Sequence, residues 1–334
     1  MYHPRFNGSH YEIGSKLGGI LRKENIDFDS LIHLDDFQRR HGRQSQKILA
    51  RIFPEVCEEI RGLTDVLDYD HEKFTTWLLC MGCCYDPKGC TTFCFQYKDR
   101  LVYGRNNDLP PFLKKDSKSI LYRLENGQRF IGNTSSMIHF EEGLNQFGLA
   151  VAMEFIMPTM IVPGINSVFI VRYLLEKCKT VDEGISALQK LPIASACSII
   201  LVDRQGNMAV AECSPENIVI RKPEHDRPFI VAANHFVSEE MAAVNSNQVY
   251  NSVQRYNTAV NALNNIEHDN GVEHAKAILS GQHGFMCQYH RSLNFETIWS
   301  SVFDISNNKI YRAEGDPAKV SYKEDARTVH LIGD

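Results

Sequence analysis

The sequence predicts an α+β fold in which a helical front precedes a body of antiparallel sheets flanked by helices. Three observations carry this. Residues 8–84 place apolar side chains at helical spacing behind clear capping signals. From Cys90 onward, short runs of β-branched and aromatic residues recur between tight polar turns. Strands also come in clusters joined by hairpin-like links, rather than alternating singly with helices as a doubly wound parallel sheet requires.

Each element has its own warrant. Ser9-His10-Tyr11-Glu12 is a capping-box pattern, and Ile13, Leu17, Ile20 and Leu21 follow it on one helical stripe. Gly14, Gly18 and Gly19 weaken that helix or let a neighbour approach closely. A helical run ends with Leu49 to Phe53, and Pro54 suits the first position of a helix from Glu55 to Leu67. A third helix is expected from about Asp70 to Cys84, carrying Phe74, Trp77, Leu78 and Met81.

The character changes at Tyr85, and the clearest boundary is Asp86 to Gly89, dividing a helical segment 1–89 from a body 90–334. Thr91, Phe93, Phe95 and Tyr97 mark a strand, Lys98-Asp99-Arg100 a turn, and Leu101 to Tyr103 the start of a return strand. Further strands are expected at Ser119 to Leu124 and Arg129 to Gly132 around Asn126-Gly127, then at Glu141 to Asn145 and Gly148 to Phe155. Helices follow at Ser167 to Cys178 and Val181 to Lys190. Strands resume at Ala196 to Val202, Met208 to Cys213, Asn217 to Arg221 and Phe229 to Phe236. Helices at Gln248 to Asn264 and Val272 to Leu279 precede a last pair of strands, Glu296 to Asp304 and Lys309 to Arg312.

Composition narrows the functional classes. With 36 basic and 41 acidic residues the net charge is −5, and no basic run is present, so nucleic acid is not an expected partner. No stretch approaches eighteen apolar residues, so no membrane-spanning helix is expected. Met1 to Gly8 lacks the apolar core of a secretory signal, and ten cysteines then read as reduced thiols in a cytoplasmic protein. Phosphate-binding glycine loops and a Gly-x-Ser-x-Gly elbow are absent.

The chemistry concentrates between Asp86 and Asp108. A Pro-x-Gly turn delivers Cys90 to a strand start, and an antiparallel return strand would bring Arg105 and Asp108 back beside it. A thiol is nucleophilic only as thiolate, which nearby cations favour. The plain alternative is that a cysteine after glycine is a small buried hydrophobe. Cys80, Cys83, Cys90 and Cys94 could instead furnish four zinc ligands, although the second pair has Cys-x-x-x-Cys spacing and core packing is the simpler account. Asn145 and Asn234 are most simply turn or strand-end residues, yet amides are a standard donor to an oxyanion. His235 could serve as a base or simply be structural.

Gly89-Cys90-Thr91-Thr92, Gly104-Arg105-Asn106-Asn107-Asp108, Gly143-Leu144-Asn145-Gln146-Phe147-Gly148-Leu149 and Ala233-Asn234-His235-Phe236 occur in one order. Together they resemble the N-terminal-nucleophile hydrolases of the choloylglycine hydrolase and penicillin acyltransferase group. The helical front before a Gly-Cys junction looks most like the acyl-CoA:6-aminopenicillanic acid acyltransferase branch. The resemblance implies a four-layer αββα sandwich preceded by a helical pro-segment, with self-cleavage between Gly89 and Cys90. It implies Cys90 as nucleophile, Asp108 orienting its freed ammonium, and Arg105 tuning the charge or meeting the substrate. Asn145 and Asn234 would stabilise the oxyanion. The substrate would be a small acyl amide or acyl thioester, no cofactor or metal is implied, and the two processed chains would stay associated. One departure stands out: where the choloylglycine members carry a late-strand arginine, this chain reads Ile298-Trp299-Ser300-Ser301-Val302. Arg291 and Arg312 are nearest, and neither is assigned. The competing expectations are a metal-binding or interaction protein built on Cys80, Cys83, Cys90 and Cys94, and a processed but inactive scaffold.

Overall fold

The computed structural model describes residues 1–84, 89–244, 251–266 and 270–332. Most of the expected Asp86 to Gly89 boundary, and the expected helix start at Gln248, lie outside them. The front comprises β1 (Arg5–Gly8), α1 (His10–Lys23), α2 (Phe28–Leu31), α3 (Asp36–Ile52), α4 (Pro54–Leu67) and α5 (His71–Cys80). There follow β2 (Gly89–Tyr97), β3 (Arg100–Leu109), β4 (Lys118–Leu124), β5 (Phe130–Thr134), β6 (Glu142–Asn145), β7 (Ala150–Phe155), α6 (Ser167–Lys177) and α7 (Val181–Leu188). Next come β8 (Cys197–Val202), β9 (Met208–Cys213), β10 (Ile218–Arg221), β11 (Phe229–Ala232), α8 (Ser252–Asn264) and α9 (Gly271–Leu279). The chain closes with β12 (Glu296–Asp304), β13 (Lys309–Ala313), β14 (Lys323–Glu324) and α10 (Val329–Ile332).

Local signals act as expected. The Ser9 hydroxyl accepts from the Glu12 N–H while the Glu12 carboxylate accepts from the Ser9 N–H, completing the capping box of α1. Pro54 opens α4. Gly14 has a packing role: a Cβ there would fall 1.9 Å from the Glu59 carbonyl oxygen, so α1 and α4 touch backbone to backbone. Helix α5 stops at Cys80, short of Cys84, because Met81 turns extended and Gly82 takes φ +72°.

The strands form two sheets, ordered β1-β4-β5-β6-β7-β8-β9-β10 and β11-β2-β3-β12-β13-β14. The first is not purely antiparallel, since β1 runs parallel to β4. That strand was not foreseen, being only four residues long with one buried apolar side chain, Phe6. The pleat sorts side chains between layers. Leu121, Ile131, Leu144, Ala152 and Ile200 meet Cys94, Leu101, Tyr103 and Phe303 between the sheets. Ile120, Tyr122, Val151 and Met153 face the other way, into a core shared with α1, α3, α4, α5, α6 and α7. Phe93, Phe95 and Val102 pack under α8 and α9. The order is therefore helix, sheet, sheet, helix.

The front is built into this stack. Glu59 of α4 accepts from Tyr122 of β4 at 2.7 Å and pairs with Arg172 of α6 at 2.7 Å, all three fully buried. An ion pair without water is worth holding only when its remaining polar atoms are also met, and Arg172 also donates to the Ile138 carbonyl.

Candidate active site

The β2–β3 hairpin sets the geometry. Gly89 lies opposite Asp108, Cys90 opposite Asn107, and Thr92 opposite Arg105. Opposed residues share a face, so Cys90, Thr92, Arg105 and Asn107 point between the sheets, while Asp108 points to the outer layer. The hairpin does bring Arg105 and Asp108 to the Cys90 end, but an odd spacing of three puts them on opposite faces. Gly89 is held closely: a Cβ there would meet the Phe295 ring at 2.6 Å.

Cys90 is fully buried. Its N–H donates to Asn234 Oδ1 at 2.9 Å, and Asn234 Nδ2 stands 3.7 Å from its sulfur. The same Nδ2 donates to the Phe155 carbonyl at 2.9 Å. One asparagine thus grips both the nitrogen and the sulfur of one cysteine. It can do so because β11 ends at Ala232, earlier than expected, and Ala233 and His235 form a tight turn that projects Asn234 inward.

Across the inter-sheet layer, β7 supplies Glu154, whose carboxylate accepts from Thr92 and lies beside the Cys90 thiol, while the thiol itself donates to the Met153 carbonyl at 3.7 Å. Arg105 Nε lies 3.7 Å from Glu154 Oε1, and its Nη2 donates to the Met153 carbonyl at 3.1 Å. The Phe155 main-chain N–H also faces the thiol. Burial pushes the Glu154 carboxyl up to about 7, with Arg105 opposing the shift. Burial and the Glu154 carboxylate push the Cys90 thiol well above its ordinary range, again against Arg105. Several polar atoms in this layer have no hydrogen-bond partner: Arg105 Nε and Nη1, Glu154 Oε2, and both ends of the Asn107 amide. Buried groups are normally satisfied, so such a concentration marks a place kept for another molecule or for chemistry.

On the outer face, Asp108 accepts from Thr297 at 2.6 Å and Tyr289 at 2.8 Å, and lies 3.8 Å from Arg255. Burial raises its carboxyl, and Arg255 is the main opposing influence. Arg255 of α8 is the organising cation. It donates to the Cys90 carbonyl at 2.5 Å, to Thr91, and to Asn234 Oδ1 at 2.7 Å. In the uncut chain Asp108 thus reaches Cys90 through Arg255, and the Cys90 N–H donates to Asn234.

Asn145 is not brought to this place. Its Nδ2 donates to the Cys178 carbonyl at 2.8 Å, and its Oδ1 accepts from the Phe147 and Leu149 N–H groups. It fastens the β6–β7 turn to the end of α6, at the opposite end of β7 from Cys90. His235 is bonded to Ser252 at 2.7 Å, and burial with the nearby Arg255 pushes its ring down to about 4, which suits a neutral structural imidazole. The four-thiol zinc set does not assemble either. Cys94 packs between the sheets, whereas Cys83 lies against Cys84 and His41. Arg312 is taken by Asp325 at 3.1 Å, and the Arg291 side chain lies outside what the structure describes.

Glu154 and Arg255 went unforeseen. The one available signal for Glu154 was a lone charge in the apolar run Ala150 to Phe155. Arg255 sits in an ordinary polar helix face, and nothing in its local sequence distinguishes it.

The family model described as acyl-coenzyme A:6-aminopenicillanic acid acyl-transferase matches residues 95–319, beginning just after Cys90. Among solved structures, two variants of conjugated bile acid hydrolase from Clostridium perfringens superpose with TM-scores of 0.53 and 0.55. They are 13% and 12% identical, covering 73% of this chain and 94% and 95% of theirs. Penicillin V acylase from Agrobacterium tumefaciens is 17% identical over 67% of this chain and 83% of its own, with a TM-score of 0.48. No curated protein sequence matches. The fold is that of the N-terminal-nucleophile hydrolases, and the αββα stacking agrees with it. This chain belongs to the acyl-coenzyme A:6-aminopenicillanic acid acyl-transferase family and is an enzyme of the amide hydrolase and acyltransferase class.

Proposed function

We propose that the protein is a self-activated cysteine enzyme that hydrolyses or transfers the acyl group of small acyl amides or acyl thioesters through an acyl-Cys90 intermediate. The observation that supports it best is the grip of Asn234 on both the nitrogen and the sulfur of Cys90, in a buried layer that also holds Arg105 and Glu154.

In the uncut chain the Cys90 nitrogen is an amide and cannot act as a base. Glu154 is the carboxylate beside the thiol, and a carboxyl near 7 can accept its proton near neutrality. The Cys90 sulfur attacks the Gly89 carbonyl carbon, and the peptide nitrogen leaves as it takes a proton. Water then hydrolyses the resulting thioester, leaving a carboxylate on Gly89 and a free α-amine on Cys90. That amine, with a reference pKa of about 7.7–8.0, becomes the base for each later turnover. Asn234 Nδ2 and the Phe155 N–H are the donors on the side of the sulfur, suited to the tetrahedral oxyanion. Arg105 balances the negative charge shared by the thiolate and Glu154. Asp108 steadies Arg255, and so Asn234. The acyl-enzyme then passes to water or to an amine.

The products would be chains of 89 and 245 residues, held together by the core that α1, α3, α4 and α5 share with the first sheet. Mass spectrometry of freshly purified protein under denaturing conditions tests this. Wild type should resolve into those two chains, while Cys90→Ala stays whole and turns over no acyl amide. An uncut wild type, or amidase activity retained by the variant, would overturn the reading.

A further inference from the structure

A second chemical cluster lies at the carboxyl end of α5, with Cys83 and Cys84 directly after the helix. Cys80 and Cys83 are buried, Cys84 is half-buried, and His41 of α3 is buried beside them. The turn at Gly82 folds the chain back, so the Cys83 and Cys84 N–H groups both donate to the Cys80 carbonyl. That brings the three sulfurs of Cys80-x-x-Cys83-Cys84 to one side. Cys83 Sγ lies 3.5 Å from Cys84 Sγ and 3.9 Å from His41 Nε2, and the Cys80 thiol lies beside Cys84 while donating to the Gln38 carbonyl at 3.9 Å. The ligand atoms of His41, Cys83 and Cys84 all fall within 4.8 Å of one another, the one such group of three among the described residues.

These separations have a chemical meaning. In a tetrahedral site with metal–sulfur bonds of about 2.3 Å and metal–nitrogen bonds of about 2.0–2.1 Å, sulfur–sulfur edges come to roughly 3.8 Å and sulfur–nitrogen edges to roughly 3.6 Å. The observed 3.5 Å and 3.9 Å differ from these by only a few tenths of an ångström. Packing alone does not account for the arrangement. Buried free cysteines usually scatter through cores as small hydrophobes, as Cys94 and Cys178 do here. The imidazole also has a buried Nδ1 with no hydrogen-bond partner, and its Nε2 lies between the Ser45 hydroxyl at 3.5 Å and the Cys83 sulfur at 3.9 Å. The half-buried Cys84 leaves a route for an ion to enter.

We infer that His41, Cys83 and Cys84, joined by Cys80 as a fourth ligand drawn in on metal binding, form a structural site for a thiolate-preferring d¹⁰ cation, Zn²⁺ in the first instance. The site differs from the four-cysteine set considered from the sequence, since His41 and Cys84 replace Cys90 and Cys94. Binding converts three thiols to thiolates, so one Zn²⁺ enters, three protons leave, and neither metal nor sulfur changes oxidation state. The ion would fasten α3 to the end of α5, with its last ligand, Cys84, six residues before Cys90.

Cobalt substitution tests it. Full-length protein, reduced, stripped of metal and kept anaerobic, is titrated with Co²⁺ and then with Zn²⁺. One equivalent of Co²⁺ should give a thiolate-to-cobalt charge-transfer band and the strong visible bands of tetrahedral cobalt, both erased by Zn²⁺. The signal should persist in Cys90→Ala, which separates this site from the proposed nucleophile. Cys84→Ser should weaken Co²⁺ binding at least ~10-fold, and His41→Gln should shift the visible bands, with circular dichroism confirming that both variants fold. A Cys178→Ser control should change nothing. Absence of the charge-transfer band, its survival at full affinity in Cys84→Ser, or its loss in Cys90→Ala would overturn the site.

Discussion

Two buried carboxylates in the same inter-sheet layer have opposite surroundings. Glu142 of β6 accepts from Tyr103 at 2.7 Å, Asn133 at 2.7 Å, Trp299 at 2.8 Å and Ser301 at 2.9 Å. Those donors come from both sheets, so Glu142 acts as a rivet between them. Glu154 of β7 has one hydroxyl donor in Thr92, the Cys90 thiol beside it, and an ion-pair partner at 3.7 Å, with Oε2 left unmet. A saturated buried carboxylate contributes rigidity; an unsaturated one retains capacity to take a proton or bind a ligand. The contrast separates structure from chemistry within one layer of the fold.

The comparison can be broken most sharply at Glu154. Glu154→Gln keeps the shape but cannot accept the thiol proton, and self-cleavage at Gly89–Cys90 should slow by about 10²-fold, followed as the fraction of whole chain against time. The melting temperature should stay within a few degrees of wild type, because few bonds are lost. Acidity gives a second handle. Below about 7 the Glu154 carboxyl is protonated and unable to act as base, so the wild-type cleavage rate should climb with pH through a midpoint near 7. In Glu154→Gln that inflection should vanish; an unchanged profile would move the base elsewhere.

Glu142 should show the reverse pattern. Glu142→Gln turns an acceptor of four donors into a group that faces some of them with an N–H, costing about 2–3 kcal/mol of stability by denaturant titration. Molecules that fold should still cleave at the wild-type rate. The smallest effect is expected at Asn145. Asn145→Ala loosens the β6–β7 turn by about 1–2 kcal/mol and leaves cleavage and turnover unchanged, as measured by melting and by acyl-amide hydrolysis. A large loss of turnover at normal stability would restore it to the site.

Much of the architecture was legible because it rests on short-range rules. Ser9 and Glu12 cap a helix whatever lies beyond it, and Pro54 opens one. Lys98 at φ +56° turns β2 into β3 just where the polar triplet stands. The αββα layering was an implication of the family motifs, and the pleat of β2 shows why it works: Cys94 faces one layer while Phe93 and Phe95 face the next. Less visible were β1, too short to carry a pattern, and the end of α5, where one glycine outweighed an apolar stripe.

The site divides in the same way. Cys90, Arg105 and Asp108 are adjacent through a hairpin, so sequence alone could bring them to one end of one pair of strands. Asn234 was legible only as one motif among four. Its grip on Cys90 depends on β11 pairing beside β2, a contact across more than a hundred residues. Glu154 and Arg255 reach Cys90 from another sheet and from a helix, and no local pattern encodes such meetings. Asn145 lies apart for the complementary reason: its neighbours in sequence fit an oxyanion donor, but its place on the hairpin turns its amide toward the end of α6. The sequence by itself determined the elements, their order and the thiol at a strand start, because hydrogen-bond periodicity and capping act over a few residues. Which carboxylate, which cation and which amide surround that thiol was decided only when the sheets stacked, because burial and charge are properties of neighbours in space.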